Sequence, residues 1–182
     1  GFIVTVSSFN LQIKRNADLN EAIQRIRKVA YGIEPGNLKE SCEKAVEKFK
    51  NSTLEKEVVI AISEQFQALI DREKGRVNLK FAVRSSAIGE DGDDASSAGQ
   101  NETFLGLRNI DEILDGVKKC WASLFTYQSI EYRRQHVQPL DSQMSVVVQT
   151  MVHSDCAGVL FSRHPVNGDP SKILITAYFG LG

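Results

Sequence analysis

The hydrophobic pattern of the chain changes its period near residue 76. Before that point apolar residues recur three and four positions apart, which is typical of amphipathic helices. After it, short runs are alternating or continuously apolar, which is typical of strands, and a further helical stripe interrupts them. The sequence therefore predicts an α+β fold, with a strand and helical segment over residues 1–76 and a sheet-containing core over residues 77–182.

Three helices are predicted in the first segment, after an opening strand at residues 1–6. Asp18 and Glu21 form a capping-box pattern at the start of the first helix, and Asn37 with Glu40 starts the second. The third helix ends near Gly75. The stripes predicted to face the core are Leu19, Ala22, Ile23, Ile26, Val29 and Ala30, then Cys42, Ala45, Val46 and Phe49, then Leu54, Val58, Ala61, Ile62, Phe66, Leu69 and Ile70.

The second segment combines five predicted strands with a long helix. The helix covers the apolar stripe from Ile110 to Phe125 and continues to His136, and Pro139 ends it. The apolar run within residues 145–152 predicts a strand that is buried on both faces. The predicted strands cover residues 77–83 (running into Arg84), 103–107, 145–152, 157–161 and 173–179.

Charge, hydropathy and cysteine spacing exclude several classes of protein. The 182 residues carry 22 Lys and Arg against 23 Asp and Glu, and this balance argues against a broad nucleic-acid-binding surface. No apolar run approaches the roughly 18–20 residues that span a bilayer. Cys42, Cys120 and Cys156 form no C-x-x-C pair, so we expect buried, reduced thiols in a cytoplasmic protein.

The segment from Arg84 to Thr103 is the strongest candidate for a binding site. It reads as a strand that ends in a guanidinium, followed by a loop rich in Gly, Asp and Ser. Arginine offers a permanent planar fork to phosphate oxygens, and glycines let backbone N–H groups approach an anion. The alternative is a solvated acidic loop in which Arg84 pairs with Glu90 or Asp91, and composition alone favours that alternative.

A series of short motifs follows in order from this arginine strand to the end of the chain. They are Phe81–Ala87, Glu90-Asp91, Ala98–Gln100, Glu102–Leu105, Cys120–Thr126, Val146–Gln149, Met151-Val152, Ala157–Ser162 and Phe179–Gly182. Together they resemble the nucleotide-binding domain of the phosphoenolpyruvate synthase and pyruvate phosphate dikinase family. Residues 1–5 fit the first strand of that family, whereas residues 10–75 match only as a helical spacer.

This resemblance implies an ATP-grasp fold, in which ATP is held between two lobes. In enzymes of this kind the β-phosphate of ATP goes to a histidine on a separate swivelling domain, and AMP and phosphate are released. The phosphoryl group then passes to pyruvate in a third domain, or in related branches to an antibiotic or a glucan. The resemblance also implies Mg²⁺ in the full-length enzyme, with ligands outside this chain.

The resemblance further implies roles for six residues. Arg84 would grip the nucleotide phosphates, and Gly99 and Thr103 would bind phosphate through a backbone N–H and a hydroxyl group. No residue of this chain is assigned as catalytic or as a metal ligand. The hinge beside the adenine, formed partly by backbone groups, would be Gln149, Met151 and Val152.

Departures from the family pattern limit what this chain is expected to do alone. The family commonly has Phe at Ser97 and Leu-Pro at Gly92-Asp93, so the loop is more polar here. The lysine motif of the family would precede Gly1, the metal-binding carboxylates would follow Gly182, and no phosphocarrier histidine segment is present. We therefore expect a piece of a longer enzyme, incomplete at both ends, that binds nucleotide weakly and is inactive in isolation. Alternatives are an antibiotic phosphotransferase, a glucan, water dikinase, or a degenerate, non-catalytic nucleotide-binding module.

Overall fold

The computed structural model describes residues 1–87 and 102–180 of the chain. The described residues form compact units over Gly1–Thr150 and Met151–Gly182. Helices and strands are mixed along the chain, which confirms the predicted α+β class. The elements are β1 (Phe2–Val4), α1 (Val6–Arg15), α2 (Ala17–Ala30), α3 (Leu38–Asn51), α4 (Lys56–Arg72), β2 (Phe81–Ala87), β3 (Thr103–Leu107), α5 (Ile110–Ser123), α6 (Tyr127–Gln135), β4 (Met144–Thr150), β5 (Cys156–Phe161) and β6 (Leu174–Phe179).

The larger unit is built on a four-stranded antiparallel sheet in the order β1-β4-β2-β3. Side chains alternate between the two faces of each strand, so one face can be buried while the other meets solvent. The buried face joins the helices in one hydrophobic core, and the opposite face carries no such layer within the described residues of this unit. The strand residues on the core face are Val4, Phe81, Val83, Met144, Val146 and Val148.

Burial along β4 corrects the prediction that this strand is covered on both faces. Val146 and Val148 are fully buried, whereas Val147 and Gln149 between them are partly exposed. The prediction was wrong because a continuous apolar run is typical of parallel strands buried on both sides, whereas β4 pairs antiparallel with both neighbours. The apolar residue Val147 therefore lies on the open face.

Helix N-termini follow the predicted chemistry at one site and depart from it at another. Asn37 caps α3 and accepts a hydrogen bond from the backbone N–H of Glu40 at 3.1 Å, as predicted. The capping box predicted for Asp18 and Glu21 is wrong, because α2 begins at Ala17. Asn16 is its cap, and its side-chain oxygen accepts from the N–H of Leu19 at 3.1 Å.

The strand predicted from Val77 begins four residues later, at Phe81. Asn78 has a φ of 57°, in the left-handed region, which interrupts an extended backbone. Val77 is 82% exposed, so its apolar side chain marks no buried strand position. The register of β2 is consequently set by Phe81 and Val83, both of which lie in the core.

The predicted long helix is divided into α5 and α6 by a cap at Thr126. The Thr126 hydroxyl accepts a hydrogen bond from the Ser129 N–H at 3.2 Å and so begins the second helix. The guanidinium of Arg133 is buried there, donating from Nε to the Ser129 carbonyl oxygen and from Nη2 to the Leu124 carbonyl oxygen. Burial lowers the pKa of Arg133 to about 10. This arginine therefore ties the end of α5 to α6.

The smaller unit is the antiparallel hairpin of β5 and β6. Its open ends are joined by hydrogen bonds of 2.9 Å from the Gly180 N–H to the Asp155 carbonyl oxygen and from the Ser154 hydroxyl to the Gly180 carbonyl oxygen. The two strands confirm the predictions for residues 157–161 and 173–179. Cys156 is exposed, so its predicted burial is wrong, while Cys42 and Cys120 are buried as predicted.

Within residues 1–87 and 102–180, none of the helices has the length and apolar character required to cross a membrane.

Candidate nucleotide-binding face

Four residues form one row across the open face of the sheet. Strand pairing sets Ile3 opposite Val147, Val147 opposite Arg84, and Arg84 opposite Thr103. Cross-strand partners point to the same face of a sheet, so these side chains are neighbours on the side away from the core. We call this set, from β1 to β3, the Arg84 row: Ile3, Val147, Arg84 and Thr103.

Arg84 and Thr103, the two predicted phosphate-binding residues, form a close pair within this row. The Ser85 N–H donates to the Glu102 carbonyl oxygen at 3.4 Å, which makes Arg84 and Thr103 the non-hydrogen-bonded pair next to it. In such antiparallel pairs the Cα atoms are about 4.5 Å apart and the side chains are closer than in hydrogen-bonded pairs. A guanidinium and a hydroxyl group are thereby brought together on exposed backbone positions.

Gln149 lies on the same face, one row away. Its strand partner is Ala82, two residues before Arg84, so the Gln149 side chain is displaced along the strand by about 7 Å from the Arg84 row. The partner of Ala82 on the other side is Leu105, which is 57% exposed. The open face therefore carries the guanidinium of Arg84 in one row and the amide of Gln149 in a second row, two residues further along the strands.

The remaining predicted residues lie off the sheet. Met151 and Val152 follow the end of β4, and the predicted hinge over residues 149–152 spans the division between the two compact units. Val152 is 77% exposed. Gly99 lies outside the described residues. The fold thus brings together Arg84, Thr103 and Gln149, while Met151 and Val152 are related to them only by the chain.

The charge on Arg84 has no acidic partner in the described part of the chain. No ion pair joins it to an Asp or Glu within residues 1–87 and 102–180, and its guanidinium is exposed. Glu90 and Asp91, the partners in the alternative interpretation, lie outside those residues. A guanidinium on an open face beside a hydroxyl group can donate two parallel N–H hydrogen bonds to the oxygens of a phosphate.

Apolar residues of this face were not predicted as site residues. Ile3 is 61% exposed and Leu105 is 57% exposed, although both are in strands. Val147, the partner of Ile3, is partly exposed. The signal that could have identified them is alternation, because each occupies a strand position out of phase with its core-facing neighbours.

The described residues do not provide a magnesium site. Within residues 1–87 and 102–180 there is no group of three or more His, Cys, Asp or Glu side chains that could hold a metal ion. The open face itself presents a guanidinium, a hydroxyl and an amide, which are not the carboxylate oxygens that Mg²⁺ prefers.

Comparison with known proteins gives the same family over the whole chain. The family model described as pyruvate phosphate dikinase, AMP/ATP-binding domain, matches residues 1–182. A probable phosphoenolpyruvate synthase of Archaeoglobus fulgidus is 48% identical over 120 residues, which cover 65% of this chain and 16% of that protein.

Two further relatives align with the whole length of the chain. A probable phosphoenolpyruvate synthase of Methanothermobacter thermautotrophicus is 32% identical over 195 residues, covering 100% of this chain and 26% of its own length. A rifampicin phosphotransferase of a Streptomyces species is 35% identical over 183 residues, covering 100% of this chain and 20% of its own length. The chain thus spans between 16% and 26% of the length of these three relatives. By the full-length match of the family model, it belongs to the pyruvate phosphate dikinase AMP/ATP-binding domain family.

Proposed function

We propose that the open face of the sheet in the larger unit binds ATP. The observation that carries this proposal is the strand register, which sets Arg84 opposite Thr103 and places Gln149 on the same face. ATP needs cationic and hydrogen-bonding groups at its phosphates and an apolar surface with a few polar groups at its base. The open face supplies these at separate positions.

The phosphate end of the site is the Arg84 and Thr103 pair. Arg84 donates its planar fork to phosphate oxygens, and the Thr103 hydroxyl donates to an oxygen of the same group. Gly99, four residues before Thr103 in sequence, adds a backbone N–H. These donors stabilise the negative charge that develops as a phosphoryl group is transferred, which is the main contribution of protein groups to this chemistry.

The adenine end of the site begins at Gln149. Its side-chain amide can both donate and accept, as the edge of a purine requires. Met151 and Val152, which follow β4 in the chain, are the other proposed adenine contacts, partly through backbone groups. Leu105, in the same row as Gln149, supplies apolar surface at this end, and Ile3 and Val147 supply apolar surface beside Arg84.

For the whole protein we propose the reaction of a phosphoenolpyruvate-synthase-like dikinase. The nucleotide bound by this chain donates its β-phosphate to a histidine on another domain of the same polypeptide, one water molecule is consumed in releasing the γ-phosphate, AMP and phosphate are the products, and pyruvate is the final acceptor of the phosphoryl group. The support for pyruvate is that relatives from Archaeoglobus and Methanothermobacter carry the name phosphoenolpyruvate synthase. Mg²⁺ belongs to this proposal for the complete enzyme, with its ligands outside the chain.

A second acceptor class is favoured by one observation. The Streptomyces relative named rifampicin phosphotransferase aligns over 100% of this chain at 35% identity, slightly above the 32% of the full-length match to a phosphoenolpyruvate synthase. The alternative for the whole protein is therefore phosphoryl transfer to an antibiotic hydroxyl group. Both alternatives use the same nucleotide-binding face.

Nucleotide binding is tested by titrating the isotopically labelled 182-residue chain with ATP and following backbone amide resonances. We expect weak, saturable shifts centred on Arg84, Thr103 and Gln149. Arg84→Ala should raise the Kd at least about tenfold, because it removes a charge-assisted contact, without changing the melting temperature. Arg72→Ala, at the exposed end of α4, is the matched control. Shifts confined to the helices, or an unchanged Kd in Arg84→Ala, would contradict the proposal.

The acceptor is tested with the complete polypeptide that contains this chain. AMP release from ATP is measured with pyruvate, with rifampicin and with neither. Acceleration by pyruvate supports the dikinase, and acceleration by rifampicin supports the alternative. A protein that binds ATP but forms no AMP with any acceptor would support the non-catalytic module instead.

A further inference from the structure

Two small polar side chains lie on the buried face of α5, beneath the site. Cys120 is 0% exposed and Ser123 is 2% exposed. Residues three positions apart lie on the same face of a helix, so the thiol and the hydroxyl point towards the sheet together. Neither side chain reaches the open face, and neither belongs to the proposed nucleotide contacts.

Both side chains contact the same peptide, that of Glu102. The Cys120 thiol donates to the Glu102 carbonyl oxygen at 3.5 Å. The Ser123 hydroxyl oxygen accepts from the Glu102 N–H at 3.5 Å, and it donates its own hydrogen to the Cys120 carbonyl oxygen at 2.7 Å. The N–H and the carbonyl of Glu102 are therefore both bound from the core side.

Glu102 connects these contacts to the proposed phosphate-binding residue Thr103. It immediately precedes Thr103, the first residue of β3. Its carbonyl also accepts from the Ser85 N–H of β2, while its N–H is directed to Ser123. At this end of β3 the Glu102 carbonyl oxygen is thus bonded to the neighbouring strand β2, whereas the Glu102 N–H is bonded to a side chain of helix α5.

We propose that Cys120 and Ser123 are positioning residues for the nucleotide phosphates, acting through the Glu102 peptide to hold the Thr103 hydroxyl opposite Arg84. This inference rests on the proposed ATP-binding function of the open face. The two contacts with the Glu102 peptide add little stability, because an S–H group is a weak donor and both contacts are long. Their role is to fix the position of that peptide. Their effect arises because small displacements of a phosphate-binding group are costly to binding and transfer.

Substituting a residue that only packs in the core changes stability, whereas substituting a positioning residue also changes the Kd for ATP. Cys42 offers the comparison, because it is also a fully buried thiol in the same core but lies on α3. Truncating either cysteine removes one sulfur atom from the core. Only the Cys120 thiol is bonded to the peptide that leads into Thr103.

The experiment compares Cys120→Ala, Ser123→Ala, Cys120→Ser and Cys42→Ala in the 182-residue chain. Hydrogen exchange of the Glu102 and Ser85 amides and the Kd for ATP are measured at a temperature where each variant is folded. We expect Cys120→Ala and Ser123→Ala to raise the Kd about tenfold and to accelerate exchange at these amides by a similar factor. Cys120→Ser keeps a donor and should restore both values, and Cys42→Ala should change neither.

Each outcome decides the inference. An unchanged Kd in both Cys120→Ala and Ser123→Ala, in a chain whose wild type binds ATP, overturns it, as does an equal loss in Cys42→Ala. If the wild type does not bind ATP, the proposed function fails and amide exchange alone decides whether the two side chains hold the Glu102 peptide. If Ser123→Ala does not fold, the pair Cys120→Ala and Cys120→Ser carries the same test.

Discussion

Gly116 of α5 lies so close to the Val83 side chain that a side chain at position 116 would have little room. A Cβ atom on Gly116 would lie 3.3 Å from the Val83 Cβ and 3.2 Å from the Leu107 Cδ1. Val83 is fully buried on β2, one residue before Arg84. The small size of Gly116 therefore lets α5 pack closely against the strand that carries Arg84.

Enlarging Gly116 should separate this helix from the sheet. We expect Gly116→Val to lower the free energy of unfolding by about 2 kcal/mol, because a branched side chain must displace Val83 or Leu107. In Gly116→Ala the gain in helix propensity, about 1 kcal/mol, offsets much of a smaller clash, so its stability should stay close to that of the wild type. Urea unfolding measures both, and equal stability of the valine variant would contradict the prediction.

ATP binding should depend on the hydroxyl group of Thr103 and not on its methyl group. Thr103→Val keeps the shape and β propensity of the side chain but removes the donor, so we expect the Kd for ATP to rise about tenfold. Thr103→Ser keeps the donor and should bind nearly as the wild type does. The two variants are compared by titration, and an equal Kd for both would show that the hydroxyl does not contact phosphate.

Substitutions of Asn16 and Asp18 test which of the two residues caps helix α2. Because the Asn16 side chain accepts from the Leu19 N–H, Asn16→Ala should destabilise the chain by about 1 kcal/mol. Asp18→Ala should cost less, since within the described residues this carboxylate has no hydrogen-bond or ion-pair partner and is stabilised by the N-terminal end of the helix dipole. Thermal unfolding of the two variants checks this order, and a larger loss in Asp18→Ala would reverse the assignment.

The three thiols should react differently with an alkylating reagent at about pH 8. Cys156 is exposed and should react in the folded chain, whereas Cys42 and Cys120 are fully buried and should react only after unfolding. Burial also raises the pKa of both buried thiols to about 12, so they remain protonated. Mass spectrometry of the labelled protein identifies the sites, and rapid labelling of Cys42 or Cys120 would contradict the burial.

The raised pKa of the buried Cys42 thiol should make the folded chain less stable at high pH. The ordinary thiol pKa of 9.0 applies to the unfolded chain, and burial raises that of folded Cys42 to about 12. The stabilisation from a buried neutral thiol is thus complete below pH 9 and is lost as the pH rises towards 12. Between these values the wild type should lose stability more steeply than Cys42→Ala in urea unfolding.

Local patterns were sufficient to predict most of the helices and strands. The stripe that includes Leu19, Ile23 and Ile26 is buried as predicted, and β3 covers the predicted residues 103–107. The cap at Asn37 follows from its own side chain and the next three residues. These features depend on contacts close in sequence, which a periodic pattern can reveal.

Features that depend on distant residues were the ones that sequence patterns missed. The burial of β4 on one face follows from its antiparallel partners, which are far away in the chain. The exposure of Cys156 follows from its position in a two-stranded hairpin, where a small apolar residue need not be covered. The left-handed backbone at Asn78 moved the start of β2 past an apolar residue that alternation had included.

For this protein, the sequence by itself determined the α+β class, the family and the residues that are candidates for binding ATP, because those follow from local periodicity and from ordered motifs. Only the tertiary structure decided which candidates are neighbours. The register of β1, β4, β2 and β3 sets Arg84 beside Thr103 and places both on the face away from the core. The contacts of Cys120 and Ser123 with Glu102 likewise join residues 18 and 21 positions apart, which only packing can bring together.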